Sequence, residues 1–171
     1  KGKEGVRRLY VDRFRKRFTY NNNGPIDGFL LDHPQIQTII DIDPDGKTAR
    51  LRGRSTMQAG RHVDYQGEEP HLKVRQWWEG GLYENVYKKG DDGKWRIHVL
   101  NYFPHWHADF EKGWAYTDPE YTPFIRTTYP EDPAGPDELI EDHWLWPIHK
   151  LLPFHMKHPI TGEEMKASRW E

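Results

Sequence analysis

The side chains best suited to chemistry in this 171-residue chain are its ten histidines, and the chain contains no cysteine. Without Cys, disulfides, thiolate nucleophiles and cysteine-ligated metal sites are excluded. No serine lies in a nucleophile-elbow sequence, and Gly80 and Gly81 belong to a strand pattern rather than to a phosphate-binding loop. Acid–base chemistry is therefore the enzymatic option that remains, with His as the proton carrier near neutral pH.

Two pairs of histidines have the spacing of metal ligands. His105 and His107 flank Trp106, and His155 and His158 lie three residues apart. Neither pair belongs to an HExxH helix, and the sequence assigns no third ligand to either. We therefore expect no metal site and no cofactor.

Charge and composition narrow the class of protein. The chain has 25 Lys and Arg against 27 Asp and Glu, a net charge of -2, which gives no general electrostatic reason to bind nucleic acid or an anionic membrane. No apolar run approaches the roughly 20 residues of a membrane span, and the start does not resemble a signal peptide. Aromatic residues reach 14%, which excludes disorder for most of the length. We expect a cytoplasmic protein.

The elements that must position the histidines begin with an amphipathic helix over residues 3–18. Its apolar stripe recurs at spacings of three and four and consists of Val6, Leu9, Tyr10, Phe14 and Phe18. Its other face is basic, with Arg7, Arg8, Arg13, Arg15, Lys16 and Arg17. Such a face can bind phosphates, but a solvated face is the commoner explanation.

A first hairpin is predicted from strand-like runs over 34–42 and 47–57, joined by the turn sequence Asp-Pro-Asp-Gly at 43–46. Side chains alternate along a strand, and opposed residues share a face. One face then holds Ile36, Thr38, Ile40, Ile42, Ala49 and Leu51. The other face holds His33, Gln35, Gln37, Ile39, Arg50, Arg52 and Arg54.

A second hairpin is predicted from runs over 74–87 and 95–103, flanking Gly-Asp-Asp-Gly at 90–93. With an even-numbered loop, one face collects Leu82, Val86, Trp95, Ile97, Val99 and Phe103. The opposite face collects Tyr83, Asn85, Tyr87, His98, Leu100 and Tyr102. A three-residue loop would invert the pairing of these two runs.

The face of His, Gln, Arg, Tyr and Asn on both hairpins has two interpretations. It is either the water-facing side of an antiparallel sheet or the lining of a polar pocket. In a pocket, Arg52 would stabilise a phenolate or alkoxide with fixed donors, and Gln37 shares its face. Tyr83 and Asn85 would position substrate hydroxyls. His98 and Tyr102 are further candidates, and Trp78 and Trp106 could stack on an aromatic substrate.

Three blocks of the sequence resemble the SnoaL-like branch of the nuclear-transport-factor-2-like superfamily. They are Asp-Gly-Lys-Thr-Ala at 45–49 with Arg52, Gly-Leu-Tyr-Glu-Asn-Val-Tyr at 81–87, and Asp-Gly-Lys-Trp-Arg-Ile at 92–97. The tail resembles a subgroup, the sphingomonad lyases that release formaldehyde from lignin-derived diarylpropane diols. That likeness rests on Glu-Lys-Gly-Trp at 111–114, and on Pro-Phe-His at 153–155 with Pro-Ile-Thr-Gly at 159–162.

This resemblance implies an α+β fold, a cone-shaped curved antiparallel sheet packed on helices with a terminal pocket. Residues 1–104 would form the cone domain, without the further N-terminal helices that contribute a catalytic Tyr or acid in such domains. Residues 105–171 contain eight of the 13 prolines and would form a long irregular extension. A segment so rich in Pro and Trp is expected to cover the pocket or a neighbouring subunit. We expect a homo-oligomer, a trimer rather than a dimer.

The resemblance also implies the chemistry. Relatives such as scytalone dehydratase and bile-acid dehydratases use a His, an acidic residue and Tyr without a cofactor, and His33 stands where they carry the catalytic His. Many relatives have Asp where this chain has Asn85, which can orient a group but holds no charge. The predicted catalytic residues are His33, Arg52, Tyr83 and Asn85. The predicted substrate-binding residues are Gln37, His98, Tyr102, Trp78 and Trp106.

The function expected from these residues is that of a cofactor-independent lyase on a lignin-derived hydroxylated diaryl compound. Loss of water through a quinone methide and release of formaldehyde would give a stilbene. The alternatives are a simple dehydratase or isomerase of an aromatic or polycyclic molecule, and a non-catalytic binding module. The expected partner is a small aromatic substrate, with no nucleic acid and no membrane.

Overall fold

The computed structural model describes residues 1–65, 76–116, 126–139, 145–148 and 152–165. The predicted N-terminal helix is confirmed. It starts as α1, Gly2–Arg7, continues as a π-helix over Arg8–Arg15 and ends as α2, Lys16–Phe18. The described strands are β1 (Phe29–Asp32), β2 (Gln35–Ile42), β3 (Thr48–Arg61), β4 (Gln76–Lys89), β5 (Trp95–Val99) and β6 (Tyr102–Asp109).

These strands form one antiparallel sheet, which together with the helix confirms the α+β class. β3 and β4 are neighbours at its centre, β1 and β2 both pair with β3, and β5 and β6 both pair with β4. In the described part of the chain, no helix is long and apolar enough to cross a membrane.

The basic face of the helix is open to water at Arg7, Lys16 and Arg17, as the solvated interpretation predicts, but Arg8 and Arg13 are covered by another segment of the chain. Arg8 is buried, pairs with Asp137, donates from Nε to the Gly135 carbonyl at 3.1 Å and lies 4.5 Å from the ring centre of Tyr129. In the same way Arg13 pairs with Asp132 and donates to the Ala134 carbonyl at 3.1 Å. The helix therefore binds the chain segment over residues 129–137.

The first hairpin forms at the predicted turn. The Asp45 carboxylate accepts the backbone N–H groups of Lys47 at 2.7 Å and Thr48 at 2.9 Å, and these bonds lower the pKa of Asp45. Gly46 supplies the positive φ of 63° that the turn requires. Next to the turn the predicted register is confirmed, since Ile42 lies opposite Ala49 and Ile40 opposite Leu51.

Beyond Ile39, a bulge changes the register of this hairpin. Three residue steps from Ile36 to Ile39 oppose two steps on β3, and Gln37 has a positive φ of 52°. Ile36 therefore lies opposite Arg54, whereas the prediction put Ile36 on the other face from Arg54. The predicted sharing of one face by His33 and Arg52 is wrong for this reason, because the register places His33 opposite Met57, on the other face of β3 from Arg52.

The second hairpin also departs from its prediction. Lys89 pairs with Trp95 and Tyr87 with Ile97, so the loop is odd-numbered and Tyr87, rather than Val86, shares a face with Ile97. A bulge at His98 then brings Val86 and Val99 opposite each other, so these two residues share a face as predicted. The predicted strand over 95–103 is two strands, β5 and β6.

The predicted apolar face of β2 is exposed. All eight residues of β2 are exposed, and Ile42 keeps 61% of its surface accessible. The buried side of the hairpin is instead supplied by β3, through Ala49 and Leu51. The alternation of apolar residues identified the apolar face of the hairpin, but it did not show that this face is covered on β3 and exposed on β2.

The chain divides into two compact units. The first contains residues 1–32, 58–78 and 108–143, and the second contains residues 33–57, 79–107 and 144–171. β3, β4 and β6 therefore contribute residues to both. Each unit is described by itself below.

Candidate active site

Two clusters of polar side chains project from β4 in the second unit. The tyrosine cluster consists of Glu79 and Tyr83 of β4 with His33, Tyr102 and His107. The arginine cluster consists of Glu84 of β4 with Asp41, Arg52 and His155. Because side chains alternate along a strand, Tyr83 and Glu84 point to opposite faces of the sheet.

His33 and two tyrosines form the centre of the tyrosine cluster. The Tyr83 hydroxyl lies 3.4 Å from His33 Nε2. The Tyr102 ring packs edge-on against His33, with ring centres 5.2 Å apart, and against Tyr83 at 4.7 Å. Tyr83 is 7% exposed, whereas His33 is exposed. An imidazole open to water thus contacts a buried phenol.

Glu79 links the centre of the tyrosine cluster to His107. One carboxylate oxygen accepts the Tyr102 hydroxyl at 2.7 Å, and the other lies 2.8 Å from Nδ1 of the buried His107. Burial raises the pKa of Tyr102 far above its ordinary value of 10.0, and the negative charge of Glu79 and its hydrogen bond raise it further. Tyr102 is therefore a neutral donor at physiological pH, held in place by Glu79.

The arrangement is suited to proton transfer between a solvent-accessible imidazole and a shielded hydroxyl. An exposed imidazole can exchange protons with water near neutral pH, and a phenol in contact with it can donate a hydrogen bond to a bound hydroxyl. The contacts of Tyr102 and Glu79 hold the rings around this pair.

Two glycines of β4 create the room for the aromatic rings. A Cβ atom added at Gly81 would lie 2.6 Å from the Tyr102 ring, and one at Gly80 would lie 2.2 Å from the Trp106 ring. Both distances are far below van der Waals contact, so β6 can pack against β4 here only where the side chain is a hydrogen atom.

Arg52 is saturated with partners in the arginine cluster. Its guanidinium pairs with Glu84 and donates to the carbonyls of Leu152 at 3.3 Å and Pro153 at 3.0 Å. It also lies 4.0 Å from the ring centre of Phe154. These contacts attach the segment that begins at residue 152 to β3 and β4.

His155 completes this attachment. Its Nδ1 lies 3.0 Å from the second carboxylate oxygen of Glu84, and its Nε2 lies 3.5 Å from Asp41. Glu84 therefore holds both Arg52 and His155. The cluster joins β2, β3 and β4 to residues 152–155 through the ion pair of Arg52 with Glu84 and the contacts of His155.

The bulge at Gln37 lies between one residue of each cluster, because His33 of the tyrosine cluster precedes it and Asp41 of the arginine cluster follows it. The register is constant from Phe29 to Ile36, which places His33 opposite Met57, and it shifts by one residue from Ile39 onward. Regular alternation would put His33 and Asp41 on the same face. The bulge puts them on opposite faces, so that His33 reaches Tyr83 and Asp41 reaches His155.

The remaining predicted polar residues lie in other surroundings. Asn85 is 2% exposed, donates to the Tyr87 hydroxyl at 3.4 Å and accepts the Asn101 N–H at 3.1 Å. Gln37 and His98 are exposed, each at a bulge. Asn85 of β4 thus binds the connection between β5 and β6, to which Asn101 belongs.

The two predicted stacking tryptophans lie in different units. Trp106 covers Gly80 in the second unit. Trp78 belongs to the first unit, where it packs against Phe110 and Trp114 with ring centres 5.5 and 4.9 Å apart. In the part of the chain that the structure describes, no group of three or more acidic or His side chains could hold a metal ion.

Comparison with known families agrees with the α+β fold of the sheet and its N-terminal helix. A model of the SnoaL-like domain matches residues 2–101, more than half of the chain. The chain belongs to the SnoaL-like domain family. Members of this family are often small-molecule isomerases or dehydratases, which use this kind of fold. No curated protein matches the chain.

Five residues of the two clusters were missed in this SnoaL-like chain by sequence reasoning. They are Asp41, Glu79, Glu84, His107 and His155. Glu79 could have been found by alternation, because it shares its strand face with Gly81 and Tyr83. Tyr102 and His107 lie five positions apart on β6, so regular alternation would put them on opposite faces of the strand. Both nevertheless contact Glu79, so β6 departs from alternation and His107 could not be found in this way.

Proposed function

We propose that the tyrosine cluster is the active site of a cofactor-independent lyase that acts on a hydroxylated aromatic small molecule. The observation that carries the proposal is the contact of exposed His33 with the buried Tyr83 hydroxyl at 3.4 Å, with Tyr102 packed on both rings. A carbon–oxygen bond to a benzylic hydroxyl breaks readily when an acid protonates the leaving oxygen. The pair supplies that acid and a route for its reprotonation.

Each residue then has a defined task. Tyr83 donates its proton to the leaving hydroxyl, and His33 returns a proton to Tyr83. Tyr102 stays neutral and orients the substrate through its ring, while Glu79 is a positioning residue that fixes Tyr102. Asn85 and Arg52 contribute through the packing of the sheet and of residues 152–155.

The finer proposal is that the substrate is a lignin-derived diarylpropane diol with a free para-hydroxyl group. Loss of the phenolic proton and departure of the protonated benzylic hydroxyl as water give a quinone methide. Deprotonation of the neighbouring primary alcohol then breaks the carbon–carbon bond. Its electron pair forms the alkene and restores the aromatic ring as a phenolate, which takes up a proton, and the alcohol carbon leaves as formaldehyde. The products are a stilbene, water and formaldehyde, and no oxidant is required.

The likeness of residues 111–114, 153–155 and 159–162 to the formaldehyde-releasing lyases supports this finer proposal. The family match supports the coarser one, because isomerases and dehydratases of this fold act on small molecules. Dehydration alone would need only the first half of the reaction sequence. The same cluster could perform it.

The experiment compares a diarylpropane diol that has a free para-hydroxyl group with its para-methyl ether. We expect stilbene and formaldehyde in equal amounts from the phenol and no turnover of the ether, which cannot form a quinone methide. An alkene without formaldehyde would identify a dehydratase. Saturable binding without turnover of either compound would identify a binding module.

We also propose that the chain forms a homo-oligomer, a trimer rather than a dimer, with residues 105–171 at the interface. Exposed apolar side chains in this region support it, among them Ile148 and Ile160. Light scattering of the chain at micromolar concentration tests the proposal, and a monomer would contradict it.

A further inference from the structure

One buried hydroxyl of the second unit takes no part in the proposed proton transfer. The odd-numbered side chains of β3 form the buried face of this strand, and within the second unit they are Ala49, Leu51, Gly53, Ser55 and Met57. Ser55 is the only polar residue among them, and it is 3% exposed. Its neighbours show that this face accepts small apolar residues, so packing does not require a hydroxyl here.

The hydroxyl of Ser55 is not satisfied by the protein. Among the residues that the structure describes, Ser55 Oγ has no hydrogen-bond partner, and the atom is closed to solvent. Thr48 of the same strand shows the contrast, since it is 2% exposed and its hydroxyl donates to Asp45 at 2.9 Å and accepts from Lys88 at 2.7 Å. A buried hydroxyl without a partner destabilises the folded chain, so its presence favours a partner that arrives with a ligand.

Ser55 lies on the same face of the sheet as His33. Gln35 of β2 lies directly opposite Ser55. The same register places His33 opposite Met57, which shares its face of β3 with Ser55. Ser55 and His33 are therefore diagonal neighbours, which in an antiparallel pair lie about 7–8 Å apart. Two polar groups at this separation match the two ends of one phenol ring, a benzylic hydroxyl and a para-hydroxyl group.

We propose that Ser55 is a substrate-binding residue, which donates a hydrogen bond to the para-hydroxyl oxygen of the ring whose benzylic hydroxyl meets Tyr83 and His33. This proposal rests on the function proposed for the tyrosine cluster. Ser55 transfers no proton and breaks no bond. It supplies an uncharged donor to the oxygen that becomes a phenolate and then a quinone methide carbonyl. The sequence suggested Arg52 for this task, but its guanidinium is engaged by Glu84 and two carbonyl groups.

Access to this hydroxyl depends on Gln35. This residue is exposed and lies directly opposite Ser55, and its side chain is long and flexible. In the proposed complex the side chain of Gln35 turns toward water and leaves space for the phenol oxygen at Ser55. The group that reaches Ser55 is an oxygen rather than an apolar atom, because only a polar atom supplies the missing hydrogen bond.

The test measures equilibrium binding of 4-hydroxybenzyl alcohol to the whole chain by calorimetry. This compound carries a benzylic hydroxyl and a para-hydroxyl group on one ring, and it has no second alcohol carbon that could leave as formaldehyde. Benzyl alcohol, which lacks the para-hydroxyl group, is the matched ligand. We expect the unaltered chain to bind the phenol about two- to tenfold more tightly, the gain of one hydrogen bond. Equal affinity for the two compounds would overturn the proposal, whether or not any variant folds.

Variants locate the donor. Ser55→Ala should remove the preference for the phenol and leave the affinity for benzyl alcohol unchanged. Without ligand, urea denaturation should show this variant to be as stable as the unaltered chain or more stable, because the lost hydroxyl has no partner. Thr48→Val is the matched control, since it removes a buried hydroxyl with two partners and should lower stability while the preference for the phenol remains. A preference that survives Ser55→Ala overturns the proposal, and so does a clear loss of stability in Ser55→Ala, which would reveal a bound water or another partner.

Turnover of the diarylpropane diol separates this proposal from the lyase function on which it rests. Ser55→Ala should lower turnover about tenfold or more, because the phenolate loses its donor. His33→Gln should lose turnover and keep the preference for the phenol in binding. An unaltered chain that prefers the phenol through Ser55 but forms no stilbene would refute the lyase function and support the phenol site. Unchanged turnover in Ser55→Ala would refute the role of Ser55 while the lyase function stands.

Discussion

The tyrosine cluster and the arginine cluster use neighbouring residues of β4 and differ in how their polar groups are satisfied. In the arginine cluster, the guanidinium of Arg52 meets a carboxylate, two carbonyls and an aromatic ring, so its charge is fully engaged. In the tyrosine cluster, the central groups are uncharged hydroxyls beside an imidazole that is open to water. The first arrangement holds structure together, and the second is the one that we propose transfers a proton.

This difference shows that residue type alone does not assign a role. An arginine and a histidine on one predicted polar face suggest an oxyanion site, yet Arg52 attaches residues 152–155 to the sheet. Glu79, which no sequence motif singles out, links Tyr102 to His107. What distinguishes the two clusters is the supply of partners, and that depends on tertiary structure.

The largest effect is expected from breaking the arginine cluster. Arg52→Met removes the cation and leaves the half-buried Glu84 without its main partner, which should lower the free energy of unfolding by about 3–5 kcal/mol. Urea denaturation measures it. Arg54→Met, at an exposed position of the same strand, is the control and should change stability by less than about 0.5 kcal/mol. Wild-type stability of Arg52→Met would show that the cluster does not hold the segment.

The next largest effect is expected in the tyrosine cluster and on turnover rather than stability. His33→Gln keeps size and hydrogen bonding but cannot titrate near neutral pH, so turnover should fall by about a hundredfold or more. Steady-state rates of stilbene and formaldehyde formation measure it, and both should fall together. His158→Gln is the control, because an amide can still accept the Thr161 N–H that His158 accepts at 3.1 Å. Full turnover with an unchanged pH profile in His33→Gln would remove His33 from the mechanism.

A smaller effect concerns the alkaline limit of stability. The pKa of Tyr102 is raised in the folded chain, so the unfolded chain releases this proton first as the pH rises through about 10. The stability contributed by neutral Tyr102 is complete below pH 10 and is lost progressively above it. Tyr102→Phe should therefore lose less stability between pH 9 and about 11 than the unaltered chain. Denaturant titrations across this range test it, with the exposed Tyr116→Phe as control.

The smallest effect is expected at the bulge that separates the clusters. Gln37 has a positive φ of 52°, which glycine adopts without strain. Gln37→Gly should raise stability by up to about 1 kcal/mol, as measured by thermal unfolding, and leave turnover unchanged. By contrast, deletion of residue 37 should abolish turnover, because it would return His33 to the face of Asp41. Turnover in the deletion variant would show that the bulge does not assign the faces.

Much of the fold could be predicted from local sequence signals. The helix follows from its apolar spacing, and the first turn follows from Asp45 and Gly46, whose contacts involve near neighbours in the chain. The registers could not be predicted as well. Each of the bulges at Gln37 and His98 adds one residue, and alternation has no way to count such a residue in advance.

The site could be predicted only in part for the same reason. His33, Tyr83 and Tyr102 were all proposed as site residues, and the structure brings them together. The role proposed for Arg52 depended on an open guanidinium, but Arg52 pairs with Glu84 and contacts residues 152–154, which lie about a hundred positions away in the sequence. Contacts of that separation leave no periodic pattern to detect.

The two glycines of β4 also restrict how this protein can evolve. Any single substitution at Gly80 would collide with the ring of Trp106, so Gly80 can change only after Trp106 has become smaller. Loss of that ring first would leave a void, which costs stability. At Gly81 an added Cβ atom would lie 2.6 Å from the Tyr102 ring and also 2.7 Å from the backbone carbonyl oxygen of Phe103, so a smaller residue 102 alone would not make room for it. The mutational path at Gly80 thus has a fixed order, with Trp106 changing before the glycine, whereas Gly81 is restricted by the backbone of β6 as well. Lineages that retain both tyrosines of the cluster should therefore retain Gly81 as well.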